Sequence, residues 1–154
     1  MTTAIKRLEN QDLDAFIALI RVFEEVFEMK EFRLPGEKYL QQLLEKDGFF
    51  VFVALRNEQV VGGLTAYTLE QYYSERPLVY IYDLAVLSQY QRQGIGKLLM
   101  AGITSYCKGI GVEEVFVQAD QPDEHAIEFY HAMGGIAEQV VHFYYPLQAE
   151  KSNQ

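Results

Sequence analysis

From Gln11 to Phe27 the apolar residues Phe16, Leu19, Ile20, Phe23 and Phe27 recur at the spacing of one helical face. That face is predicted to be core. Thr3 to Leu8, just ahead of it, reads as a first strand. Glu28 to Leu34 is a charged connector, and Pro35 introduces a shorter helix carrying Tyr39, Leu40, Leu43 and Leu44 that ends near Asp47-Gly48. Phe49 to Leu55 and Gln59 to Leu69 are β-rich runs separated only by Arg56-Asn57-Glu58, which predicts a hairpin, and Gly62-Gly63 predicts a bulge in its second arm. After the polar, aromatic loop Glu70 to Pro77, Leu78 to Leu87 is an apolar run interrupted by Asp83, the pattern of a strand covered on both faces. An amphipathic helix follows from about Gln93 to Lys108, with Ile95, Leu99, Ile103 and Tyr106 on one side and Gly109 as its stop. Val112 to Ala119 predicts another strand. Asp123 caps a further helix that reaches Met133 and ends at Gly134-Gly135, and Ile136 to Tyr145 predicts a final strand.

With 154 residues, 49% of them hydrophobic, the chain suits one globular domain, expected over residues 1–147 with a polar tail at 148–154. Lys6, Arg7, Glu9, Asp12 and Asp14 break any apolar signal segment, and no run reaches transmembrane length, so a cytoplasmic protein without a membrane partner is expected. The single cysteine, Cys107, excludes an internal disulfide and lies on the apolar helical face, where a packed thiol is expected. The net charge of -9 argues against a nucleic-acid partner, whose phosphates need clustered Lys and Arg. A cationic partner suits it better, although surplus carboxylates also serve solubility.

The junction between the apolar strand and the amphipathic helix carries the clearest chemistry. From Gln91 to Gly96 the small or absent side chains let backbone N–H groups approach an anion, and the helix start adds unsatisfied donors and a positive dipole end. Arg92 and Lys97 add charge. Neither the Rossmann fingerprint nor the P-loop fits these glycines. Gln91-Arg92-Gln93-Gly94-Ile95-Gly96 resembles instead the acetyl-CoA pyrophosphate loop of the GNAT N-acetyltransferase superfamily, Gln/Arg-x-x-Gly-x-Gly/Ala. The β-αα-β-β-β-α-β-α-β order is similar to that family's along nearly the whole chain. The resemblance implies an α/β (α+β) fold: a central mixed, mostly antiparallel sheet with two splayed strands, flanked by about four helices. It also implies acetyl-CoA as the acetyl donor. Its pyrophosphate would be held by Gln91, Arg92, Gln93, Gly94, Ile95, Gly96 and Lys97, and its pantetheine arm by the backbone of Leu84, Ala85 and Val86, with Ala126 on the following helix.

In Ala126-Ile127-Glu128-Phe129-Tyr130, Tyr130 falls where many members of that family carry a tyrosine near the CoA sulfur, which implies a general acid. Tyr130 is one of 11 tyrosines, and ring packing is the alternative. Asp83 and Asp120 fall near the ends of the two strands expected to splay, where carboxylates would hold a cationic acceptor or take its proton directly or through water. Asp83 can equally be held by a tyrosine hydroxyl, and Asp120 can cap the turn into Pro122. His142, expected in the last strand, is a candidate proton relay and substrate contact. His125, His131, His142 and Cys107 do not form a recognisable metal-ligand spacing, and no serine-nucleophile motif occurs.

Tyr80-Ile81-Tyr82-Asp83-Leu84-Ala85-Val86, Arg92-Gln93-Gly94-Ile95, Val117-Gln118-Ala119-Asp120 and His142-Phe143 are similar to the small GNAT-type aminoglycoside 3-N-acetyltransferases. The resemblance implies direct acetyl transfer in a ternary complex to a primary amine of a polycationic aminoglycoside, and with it antibiotic resistance. Two alternatives stay open: a polyamine, another small amine or a protein amino group as acceptor, and a non-catalytic acyl-CoA-binding module. An exposed last strand would allow pairing of two copies as a homodimer.

Overall fold

The computed structural model describes residues 2–148. The chain gathers into two compact units, Met1–Asp120 and Gln121–Gln154. The first unit contains, in order, β1 (Thr3–Arg7), α1 (Leu13–Val26), α2 (Glu37–Leu44), β2 (Phe49–Arg56), β3 (Gln59–Leu69), β4 (Leu78–Val86), a 3₁₀ turn (Ser88–Tyr90), α3 (Ile95–Gly109) and β5 (Glu114–Val117). In the second, the described residues form one helix, α4 (Glu124–Ala132).

The sheet order is β1-β2-β3-β4-β5. Neighbours from β1 to β4 are antiparallel, and β5 lies parallel to β4 after the α3 crossover. The mixed, mostly antiparallel sheet and the count of four helices are those implied by the family resemblance. The β2–β3 hairpin closes with Arg56 opposite Gln59, and both residues between, Asn57 and Glu58, have positive φ (53° and 63°). That is the backbone a two-residue turn needs to match the twist of its strands.

Each sheet face buries its own core. On one side, Phe52, Ala54, Leu64, Ala66, Val79 and Ile81 pack against Ile95, Leu99, Ile103 and Cys107 of α3. On the other, Val51, Val53 and Ala85 meet Phe16, Leu19, Val22 and Phe23 of α1 and Leu40 and Leu44 of α2. Side chains such as Leu19, Leu99 and Ile103 are fully enclosed, and burying each contributes about 1.5–3 kcal/mol relative to exposure. Helix α1 lies directly on the backbone of β3: a Cβ at Gly63 would come within 2.5 Å of the Phe52 carbonyl oxygen and 2.6 Å of Leu19 Cδ1.

Several expectations are corrected. The β3 bulge falls at Val61, skipped between the pairs Leu55↔Val60 and Ala54↔Gly62, one residue before the glycine pair. The glycines answer to close approach, since a Cβ on Gly62 would meet the Ala85 carbonyl oxygen at 2.8 Å. Strand β4 is covered on one face over its first half, because α1 and α2 stop short of Tyr80 and Tyr82. Phe27 and Tyr39 extend past the packed stripes of their helices and are exposed. The strand expected over 136–145 is not formed: this stretch has no regular structure and is exposed, including Val140, Val141 and Phe143. Alternating β-prone residues specify a strand only when a neighbouring strand accepts their N–H and C=O groups.

Candidate active site

Beyond Val86 the chain turns through the 3₁₀ segment into α3. Leu87 N–H donates to the Val61 carbonyl (2.9 Å), and the Gln91 side-chain amide returns to the Val86 carbonyl (2.9 Å), tying the loop to the end of its strand. Arg92 (φ 63°) and Gly94 (φ 82°) take left-handed backbone, and Gly94 is the residue from which α3 starts. No protein atom lies within 4 Å of a Cβ built on Gly94, so its requirement is conformational and the space beside it is open. The first-turn N–H groups of Ile95, Gly96 and Lys97 have no intrahelical acceptor, and the exposed Arg92 and Lys97 stand beside them. Arg56 at the hairpin end supports the turn from below: it donates to Gln93 Oε1 (3.0 Å) and lies 5.5 Å from the centre of the Tyr90 ring. Sequence reasoning missed Arg56, which is 37 positions away from Gln93.

Immediately upstream, the sheet opens. The β4–β5 ladder ends at Ile81↔Val117, whereas β4 continues to Val86 beside β3 alone. Over Leu84 to Val86 this edge of β4 therefore has no strand partner, which is the splay the family resemblance implies; the Val86 carbonyl on it is taken by Gln91, and the Ala85 carbonyl lies against Gly62 of β3.

At the mouth of this gap β4 carries a second bulge, which no sequence signal announced. Ile81 pairs with Ala66 and Asp83 with Thr65, so Tyr82 is the extra residue. Regular alternation would have put Asp83 beside Ile81, under α3. The bulge instead turns Tyr82 and Asp83 toward the face of Tyr67 and Tyr80. Tyr82 meets Tyr67 and Tyr80 with ring centroids at 5.8 and 5.9 Å, and Tyr80 stacks on Phe116 at 4.8 Å. The Tyr80 hydroxyl donates to Gln118 Oε1 (3.2 Å). Asp83 is half-buried, and burial pushes its carboxyl pKa upward. Tyr67 is shifted upward by burial and then by Tyr82, Tyr39 and Asp83, which brings Tyr39 of α2 to the same neighbourhood. Asp120 is exposed three residues beyond the end of β5.

In the second unit, Asp123 caps α4 by accepting from the Ala126 N–H (3.1 Å). That bond occupies the amide of a residue expected to touch the cofactor. Tyr130 is half-buried in the last turn of α4 with its ring 5.1 Å from Phe129, and its carbonyl accepts from Gly135 (3.0 Å). His142 lies in the irregular stretch, exposed, its ring 6.3 Å from that of Tyr144. Among the described residues, no group of three or more His, Cys, Asp or Glu is arranged to hold a metal ion, and no helix is long and apolar enough to cross a membrane.

An aminoglycoside acetyltransferase, meta-AAC0020 from an uncultured soil metagenomic sample, has the same fold at a TM-score of 0.93. It is 55% identical, with 95% of this chain and 97% of that one covered, in a complex with trehalose. A second structure of that enzyme, in complex with sisomicin, matches at 54% identity and a TM-score of 0.94 over the same shares. Among curated proteins, the chain is 31% identical over 112 residues to N-acetyltransferase 8B of Rattus norvegicus, covering 65% of this chain and 50% of that protein. The chain thus spans half the length of that relative. The sequence pattern of the Acetyltransferase (GNAT) family matches residues 12–134, and the chain belongs to that family.

Proposed function

We propose that this protein transfers acetyl from acetyl-CoA directly to a primary amine of an aminoglycoside, with the 3-amino group as acceptor. The observation that carries the reading is the β4 bulge, which brings the half-buried Asp83 carboxylate onto the open face where β5 leaves β4. The 54% identity to an enzyme crystallised with sisomicin supports the substrate class.

The residues present fit the donor. Open left-handed backbone at Gly94, the free N–H groups that start α3, and Arg92 and Lys97 suit a pyrophosphate. The edge from Leu84 to Val86, which β5 leaves without a strand partner, suits an amide-bearing arm. When bound, acetyl-CoA supplies a thioester carbonyl for the amine to attack. Asp83 orients the protonated amine and takes its proton; burial raises the carboxyl pKa toward the operating pH, which makes it a stronger base than an exposed aspartate. Asp120 and His142 are proposed as further acceptor contacts. Tyr130 is proposed to protonate the departing thiolate, a role resting on the sequence resemblance. A thiolate of pKa about 8.5 leaves with modest help, so Tyr130→Phe should lower turnover roughly tenfold to a thousandfold while keeping donor affinity.

The test is to incubate purified protein with acetyl-CoA and a panel of aminoglycosides, polyamines and peptide amines, and to locate the new acetyl group by NMR. Acetylation at the 3-amino group of a gentamicin-like substrate is expected. Turnover confined to polyamines or peptides would overturn the substrate assignment, and tight CoA binding without thiol release on any amine would mean a binding module.

A further inference from the structure

The roles assigned above leave the rings beside Asp83 without a task, and their burial does not supply one. Tyr82 is 59% exposed and Tyr67 37% exposed, while Phe49 of β2, whose ring centre lies 5.1 Å from that of Tyr67, is buried. Tyr82 stands nearly perpendicular to both Tyr67 (88°) and Tyr80 (85°), so the three rings form the walls of a corner. The Tyr80 wall is fixed by its stack on Phe116 and its hydroxyl bond to Gln118. Among the described residues the guanidinium–ring contacts are Arg7 on Tyr106 and Arg56 on Tyr90, both elsewhere, so no protein cation occupies these ring faces. The charged group beside the corner is the Asp83 carboxylate.

Ring faces carry negative quadrupole potential and attract a cation within about 6 Å, and perpendicular rings offer it several such surfaces at once. Tyrosines do this at small entropic cost because two torsions fix each ring. We infer that Tyr82 and Tyr67 bind a protonated amino group of the acceptor against their ring faces, next to Asp83, and so select which amine of a polyamino sugar is presented for acetylation. This rests on the proposed aminoglycoside reading and adds specificity residues to it. The corner admits an ammonium and the apolar C–H surface of a sugar ring, and it rejects an anion because the adjacent charge is a carboxylate.

The experiment compares wild type, Tyr82→Leu, Tyr82→Phe and Tyr67→Leu with sisomicin as acceptor. Tyr82→Leu keeps an apolar side chain but removes the quadrupole, and should raise the acceptor KM about tenfold while the acetyl-CoA KM stays within twofold. Tyr82→Phe, which retains the ring, should restore most of that loss, and Tyr67→Leu should shift the ratio of mono-acetylated regioisomers. A purely structural role would move both Michaelis constants or the melting temperature together. Equal acceptor KM values in Tyr82→Leu and wild type would overturn the inference with the aminoglycoside reading intact. Absence of wild-type turnover on sisomicin would overturn that reading instead. Calorimetry with sisomicin then decides the corner by itself: weaker binding by Tyr82→Leu, recovered in Tyr82→Phe, supports it, and equal binding or none overturns it.

Discussion

The two ends of the stretch of β4 that β5 leaves open, from Tyr82 to Val86, are built from different materials. At its far end, the turn into α3 is a backbone device: left-handed Gly94, the free N–H groups of the helix start, and side chains such as Gln91 and Arg56 that hold the main chain in place. Three to four residues back from Val86, the corner around Tyr82 and Asp83 is a side-chain device, created when one extra residue turns a tyrosine and an aspartate onto the same face. The first suits an anion and the second a cation. The difference teaches that at Gly94 the loop should be sensitive to changes in allowed φ, whereas the corner should respond to single-atom changes in chemistry.

The largest effect is expected from Asp83→Asn, which keeps the shape and removes the charge. Acceptor kcat/KM should fall about 10²-fold or more, as for loss of a positioned base, with the acetyl-CoA dissociation constant nearly unchanged. Steady-state kinetics against both substrates reads this directly. Equal losses for donor and acceptor would mean that the two ends of β4 are not separate sites.

Next in size is Gly94→Val, which forces a β-branched residue into left-handed backbone at a cost on the order of 1–3 kcal/mol. The acetyl-CoA KM should rise about tenfold, and Gly94→Asn, tolerated in that region, should show a much smaller rise. Since nothing crowds the position, similar effects of both variants would point to occupied space instead of backbone strain.

The smallest effect concerns stability. The folded pKa of Asp83 lies above its ordinary value of 3.8 because of burial, so over that interval the native state holds a proton that the unfolded chain has lost. Stability from this group is therefore highest at low pH and falls as pH rises through the interval, leaving a penalty at neutral pH. Asp83→Asn should melt slightly higher than wild type at pH 7, the gap closing below the usual carboxylate range. Thermal melts across pH decide it; a lower melting temperature at pH 7 would mean that the carboxylate is structurally anchored.

Periodicity was enough for α1 and α3, whose buried stripes follow the helical repeat, and for the hairpin, whose arms are bounded by residues that accept positive φ. The loop from Gln91 to Gly96 was legible because its chemistry is local. The corner was not. Tyr80-Ile81-Tyr82-Asp83 looks like plain alternation, and a bulge depends on the pairing of β3 against β4, which no single strand encodes. For the same reason the run from Ile136 to Tyr145 has the pattern of a strand and forms none: its pattern announces β-propensity, and says nothing about whether a partner edge is available.

Cys107 has a practical consequence. It is 1% exposed on the core-facing side of α3, and burial raises its thiol pKa, so almost no thiolate meets solvent in the native protein. A disulfide reagent added to follow CoA release should therefore see product thiol with little background from the enzyme. Slow labelling of Cys107 would time the opening of α3 from the sheet, so a variant whose cysteine reacts as fast as a free thiol has lost its core, and its inactivity carries no information about the site.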